Sequence, residues 1–177
     1  RAQFNLAVIY ENNKEYDKAI SYYQLAADQN DPLALNNLAI IYIKGQYVER
    51  DTKKAIGYLI RSADKNCSIA QYNLGYYYEK GKIVKRDIGK AINYYMQSAK
   101  QGQVVAQHKL GVIYYEGVHI PKDIDRAIYY FKLAAEQNYP FSLLYLGDFY
   151  HSKHIYSKAI HYLELASNKN DPIAQFN

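Results

Sequence analysis

Five times along this chain a small residue, a Leu and a Tyr fall at positions i, i+4 and i+8. The small residues are Ala2, Ala34, Ala70, Ala106 and Ser142, and Ala174 opens a sixth copy; the spacings are 32, 36, 36, 36 and 32. The leucines are Leu6, Leu38, Leu74, Leu110 and Leu146, and the tyrosines Tyr10, Tyr42, Tyr78, Tyr114 and Tyr150. This spacing marks one face of an α-helix. A small residue follows each Leu (Ala7, Ala39, Gly75, Gly111, Gly147), where a neighbouring backbone can approach.

A second helical pattern follows each first one. Ala19, Ala55, Ala91, Ala127 and Ala159 each precede an Ile and follow a Lys or Arg. Two residues beyond the Ile stand Tyr22, Tyr58, Tyr94, Tyr130 and Tyr162, expected to interlock with the small residues. The punctuation agrees. Asn30, Asn66, Gly102, Asn138 and Asn170 stand where a left-handed C-cap is expected. Pro32, Pro140 and Pro172 open the next first helix, with Asp31 and Asp171 as caps. Asp51, Asp87 and Asp123 are placed to cap second helices. The expected units run 1–31, 32–67, 68–103, 104–139 and 140–171, with a partial unit 172–177. The middle three carry a longer inter-helix loop with Gly45, Gly81 or Gly117 and an apolar Val48, Val84 or Ile120 three residues later.

The middle units read Ala-x-x-x-Leu-Gly-x-x-Tyr-x-x-Gly and then Asp-x-x-Lys-Ala, clearest from Ala70 to Gly102. This resembles the Sel-like repeat family of the tetratricopeptide superfamily, and the resemblance covers essentially the whole chain. Units one and five lack the loop Gly and are closer to ordinary tetratricopeptide repeats. The resemblance implies an all-α, right-handed α/α superhelix of five helix-turn-helix repeats, read here as one continuous array. Its cut-looking ends read as a window from a longer protein, and their apolar faces are expected to allow end-to-end self-association.

The resemblance also implies that first helices line a concave face. Carried over by position, that face holds Phe4, Val8 and Glu11; Asn36, Ile40, Ile43 and Lys44; Tyr72, Tyr76, Glu79 and Lys80; His108, Val112, Tyr115 and Glu116; and Leu144, Asp148 and His151. Mixed aromatic, aliphatic and charged positions suit a protein or peptide segment. The function the resemblance implies is a non-catalytic adaptor without a cofactor. The alternative it implies is a binder or hydrolase of cell-wall-type small molecules.

Chemistry-bearing motifs are sparse. The sequence has no phosphate loop, Cys-x-x-Cys, His-Glu-x-x-His or nucleophile elbow. Asp148, His151, His154 and His161 are the nearest approach to a metal set, and a solvated turn explains them better. Glu11, Glu79 and Glu116 recur at first-helix ends as surface positions. Cys67, the single cysteine, gives no disulfide framework and suits a reducing, cytoplasmic compartment. Asn66-Cys67-Ser68 fits a glycosylation sequon, but Asn66 is better read as a C-cap. The 22 tyrosines are read mainly as packing residues. With a net charge of +5, Lys80, Lys82, Lys85 and Arg86 form a basic edge; nucleic acid or acidic lipid is its third-ranked use, since no base-stacking motif accompanies it. No apolar run has the length of a membrane span.

Overall fold

The computed structural model describes residues 1–167. They form ten helices, with no strand among the described residues: α1 (Ala2–Asn12), α2 (Tyr16–Asp28), α3 (Pro32–Lys44), α4 (Thr52–Asp64), α5 (Ser68–Lys80), α6 (Ile88–Lys100), α7 (Val104–Glu116), α8 (Ile124–Glu136), α9 (Pro140–Ser152) and α10 (Tyr156–Ser167). The chain divides into two compact units, residues 1–101 and 102–177. The first holds three helical hairpins, α1/α2, α3/α4 and α5/α6, each packed on the next. The second holds α7/α8 and α9/α10, joined through α8 and α9. The expected sixth copy, with Asn170, Asp171, Pro172 and Ala174, lies outside the described residues.

Local chemistry sets the helix ends. Asp51, Asp87 and Asp123 each accept the backbone N–H three residues on, at 2.8 to 2.9 Å. Asp31 caps α3 by accepting from Leu33 and Ala34, with Pro32 at the first helical position. Asn30, Asn66, Gly102 and Asn138 all take positive φ after their second helices, so Asn66 does stand at a C-terminal turn.

The inter-helix loops turn on left-handed residues too. Gly45, Gly81 and Gly117 have φ of 62°, 66° and 66°. In the short loops Lys14 and His154 adopt the same conformation at 62° and 58°. An L-residue bears a cost of roughly 1–2 kcal/mol there, partly offset by the lower unfolded-state entropy of a non-glycine. Lys14→Gly is therefore expected to stabilise the protein by about 0.5–1 kcal/mol. A raised thermal midpoint checks this; an unchanged or lower one would show that the turn is unstrained.

Between the helices of a hairpin, one ring or branched side chain lies directly on backbone. A Cβ built on Gly111 would stand 2.5 Å from Phe131, on Gly75 2.7 Å from Tyr95, and on Gly147 2.6 Å from Leu163. The glycine after Leu74, Leu110 and Leu146 is thus the seat for a large side chain. That side chain is not the one the sequence pattern marks. Tyr23, Leu59, Tyr95 and Phe131 are fully buried, each one residue beyond the marked tyrosine.

The marked tyrosines do different work. Tyr10 pairs with Tyr22, Tyr42 with Tyr58, Tyr78 with Tyr94, Tyr114 with Tyr130 and Tyr150 with Tyr162, at centroid separations of 5.3 to 6.0 Å. Over the first ring of each pair lies the cation that precedes the second-helix Ala: Lys18, Lys54, Lys90, Arg126 or Lys158, at 4.2 to 5.4 Å. Ten of the 22 tyrosines are used in these pairs, which accounts for much of that composition by packing.

Polar side chains, with Ser62, Ser98, Gln71 and Gln107 buried, tie the two helices of a hairpin to each other. Ser62 donates to the Pro32 carbonyl at 2.6 Å, and Ser98 to that of Ser68 at 2.7 Å. Gln101 donates to Gln71 at 2.6 Å, and in the second unit Gln137 donates to Gln107 at 2.8 Å. Among the described residues every buried side-chain nitrogen and oxygen has a partner.

Candidate protein-binding surface

The expected contact residues lie on first helices, at different depths. On α1, Phe4 and Val8 are half-buried, and Phe4 leans on Tyr23 at 5.8 Å. On α3, Ile40 is half-buried, Lys44 exposed and Asn36 buried. On α5, Tyr72 lies 5.6 Å from Tyr95, Tyr76 meets Tyr77 edge-on at 5.4 Å, and Lys80 is 3.3 Å from Glu79. On α7, His108, Val112 and Tyr115 are half-buried; on α9, Leu144 and Asp148 are exposed.

Within residues 1–101, Ile40 and Lys44 converge on one depression of about 340 Å³. Glu11, Asn37 and Ile41 complete its helical wall, and Tyr16 at the start of α2 closes it together with Gln46 and Tyr47 of the loop after α3. Tyr16 and Tyr47 stack at 3.7 Å, so the start of α2 is clasped to the loop after α3. The depression offers an aliphatic floor, an aromatic wall, two amides, a carboxylate and an ammonium. Lys44 has no ion-pair partner among the described residues.

A chain of side-chain hydrogen bonds fixes this wall. The Tyr23 hydroxyl donates to Glu11 Oε2 at 2.5 Å, and Asn37 Nδ2 donates to the Tyr23 oxygen at 3.1 Å. Asn36 donates to Asn37 at 3.3 Å, and Asn73 donates to Asn36 at 2.9 Å. The path crosses three hairpins. Burial, with the Glu11 carboxylate beside it, pushes the Tyr23 phenol far above its usual range, so it stays a donor. Glu79 does the same for the buried Tyr95 at 2.8 Å. Glu11 and Glu79 are therefore positioned acceptors rather than plain surface residues. Glu116 stands one place later in its repeat, and Phe131 brings no hydroxyl to that hairpin.

In the second unit His108 sits among rings. Phe131, Tyr139, Phe141 and Tyr145 surround it at 5.0 to 6.0 Å, and Tyr115 meets Tyr145 edge-on at 5.7 Å. His108 Nδ1 is 2.9 Å from Ser142 Oγ. Burial, reinforced by Lys109, lowers the His108 pKa to about 4, so the ring is neutral at pH 7. Ser142 is fully buried, which places its hydroxyl out of reach of a substrate. Of the histidines considered as ligands, His154 Nδ1 is 2.9 Å from the Tyr156 hydroxyl, and His151 packs edge-on against the same ring. Among the described residues no three His, Cys, Asp or Glu side chains converge as a metal site. No helix among them is long and apolar enough to cross a membrane.

Sequence reasoning missed Tyr16, Asn37, Tyr47 and Tyr145. Asn37 left a signal: Asn5, Asn37 and Asn73 each stand three residues after the repeat's small residue. Tyr47 left none, because the equivalent loop positions hold Ile83 and His119.

Stacked helical hairpins with a mixed apolar and polar first-helix surface define a helical-repeat protein, a class that generally serves as interaction scaffold and is typically non-catalytic. Residues 32–67, 68–103, 104–139 and 156–171 match the Sel1 repeat, and residues 1–31 match a tetratricopeptide repeat. The chain belongs to the Sel1 repeat family. Its fold is an all-α helical-repeat superhelix. A Sel1 repeat protein from Oxalobacter formigenes is 30% identical, with a TM-score of 0.85 over 94% of this chain and 72% of that one. A protective antigen of uropathogenic Escherichia coli with an SLR fold is 24% identical, with a TM-score of 0.90 over 99% of this chain. This chain spans 39% of that antigen's length. Helicobacter pylori cysteine rich protein B is 28% identical, with a TM-score of 0.54 over 70% of this chain and 88% of that one. A comparison with curated proteins finds no match.

Proposed function

We propose that this chain is a non-catalytic adaptor that grips a segment of a partner protein on its first-helix surfaces, working as a single repeat array over 1–177. The observation that carries this reading is the depression at Ile40 and Lys44. It joins an apolar floor and a stacked aromatic wall to the polar ends of Lys44 and Gln46, the composition that holds an extended segment by anchor side chains and backbone hydrogen bonds. Asn36 acts in this scheme by positioning Asn37, since its own amide is buried and bonded. Phe4, Val8, Tyr72, Tyr76, Lys80, Val112, Tyr115, Leu144 and Asp148 extend the surface on their own helices, and His108 supports it from beneath.

Panning a random peptide library on the protein tests this. Enriched peptides are expected to lose about tenfold or more in affinity to a Lys44→Ala, Tyr47→Ala variant, about 1.4 kcal/mol or more of binding free energy. Both residues are exposed, so the far-ultraviolet spectrum should not change. Peptides that bind variant and wild type alike would move the contact surface elsewhere; a library yielding no peptide would remove the adaptor reading.

A further inference from the structure

A second depression, of about 550 Å³, opens between the inter-helix loops of the second and third hairpins, within residues 1–101. Arg50 reaches it from one loop, with Thr52 at the start of α4 beside it, and Lys82 and Lys85 from the other loop. The sequence groups Lys80, Lys82, Lys85 and Arg86 as one basic edge, but the fold sorts them. Lys80 pairs with Glu79 at 3.3 Å, and Arg86 Nε donates to the Glu79 carbonyl at 3.1 Å. Arg50, Lys82 and Lys85 are exposed and make no ion pair among the described residues.

The loops that carry these cations are fixed. A Cβ on Gly45 would stand 2.7 Å from Arg50 Cβ, and one on Gly81 2.9 Å from Arg86 Cβ. Asp51 N–H donates to the Tyr42 carbonyl at 3.2 Å, and Asp87 N–H to that of Tyr78 at 3.0 Å. The neighbouring aspartates are already engaged, Asp51 with the Lys54 N–H and Asp87 with the Lys90 N–H. Glu49 is the remaining carboxylate of these loops. Three cations thus line one depression without an ion-pair partner among the described residues, beside the Thr52 hydroxyl, which can donate.

We propose that this hollow binds a phosphomonoester carried on a protein segment. A guanidinium fork, two ammonium groups and a hydroxyl match the charge and the several oxygens of a phosphate dianion. The cations line one shallow depression, and Ile83 and Val84 beside them are half-buried. A bilayer would find little to insert there. A nucleic acid backbone would meet Glu49, Asp51 and Asp87 on either side of the three cations.

The test uses the full chain and a labelled Gly-Ser-phosphoserine-Ser-Gly peptide, its unphosphorylated twin, and phosphatidylcholine vesicles containing phosphatidic acid. The phosphopeptide is expected to shift the amide resonances of Thr52 and Lys82 to Lys85 ahead of the other lysines, with affinity falling as salt rises. Lys82→Ala with Lys85→Ala should weaken it about tenfold or more, while the Arg replacements at both positions retain it. Shifts spread evenly over all lysines, equal binding of the twin, or an unaffected double-alanine variant would each overturn the site. Vesicles bound in preference to the peptide would overturn the protein source of the phosphate. The Lys44→Ala, Tyr47→Ala variant should bind the phosphopeptide normally, so this site and the peptide depression fail or stand separately.

Discussion

Phe131→Ala is expected to cost about 3–5 kcal/mol of unfolding free energy, the range for truncating a buried aromatic ring. The ring is fully buried, sits on the Gly111 backbone and stacks on Tyr145 at 4.7 Å. Its removal opens a cavity that α7 and α8 cannot close, because Gly111 has no side chain to move in. The adjacent Tyr130→Ala should cost much less, about 1 kcal/mol, since its ring is half-buried and mainly loses the stack with Tyr114. Denaturant unfolding of both variants decides the packing register. Equal losses, or a larger loss at Tyr130, would mean that the marked column of tyrosines is the core after all.

Acidification should weaken the second unit through His108. The folded-state pKa of about 4 lies below the ordinary histidine value of 6.5. Between those values the unfolded chain binds the proton and the folded chain does not, so stability rises with pH across this window. It is fully present above pH 6.5, is lost as the pH falls toward 4, and falls no further through this group below that. The loss amounts to roughly 3 kcal/mol at its limit. Carboxylates also titrate in the lower part of this range, so the measurement is a difference. His108→Gln should show a smaller change in unfolding free energy between pH 7 and pH 4 than wild type does, by roughly that amount. Parallel pH profiles would show that the imidazole is not isolated from water among its rings.

What could be read in advance follows from range. Caps and turns depend on residues within five positions of one another, so Asp87, Gly81 and Asn66 declare themselves in the sequence. The hairpin pattern is declared by repetition. The packing register is not, because second helices carry two adjacent bulky residues, as in Tyr94-Tyr95 and Tyr130-Phe131. A periodicity that tolerates either column cannot choose between them; only the Gly75 and Gly111 seats do. The depression at Ile40 was half legible. Its helical residues follow from the repeat, whereas the Tyr16–Tyr47 stack depends on Tyr47, whose counterparts in the other long loops are Ile83 and His119. The basic edge was legible as composition, but whether Lys80 or Lys82 remains available depends on which carboxylate the fold brings near.

The run of side-chain hydrogen bonds from Glu11 through Tyr23 to Asn73 bears on how residues 1–101 come apart. A stack of independent modules frays from its tips, one module at a time. Here peeling away α1 and α2 also breaks the bond between Asn37 and the Tyr23 phenol and hands both groups to water, a cost beyond the lost apolar contact. The terminal module is thereby held closed in part by a group that belongs to its neighbour.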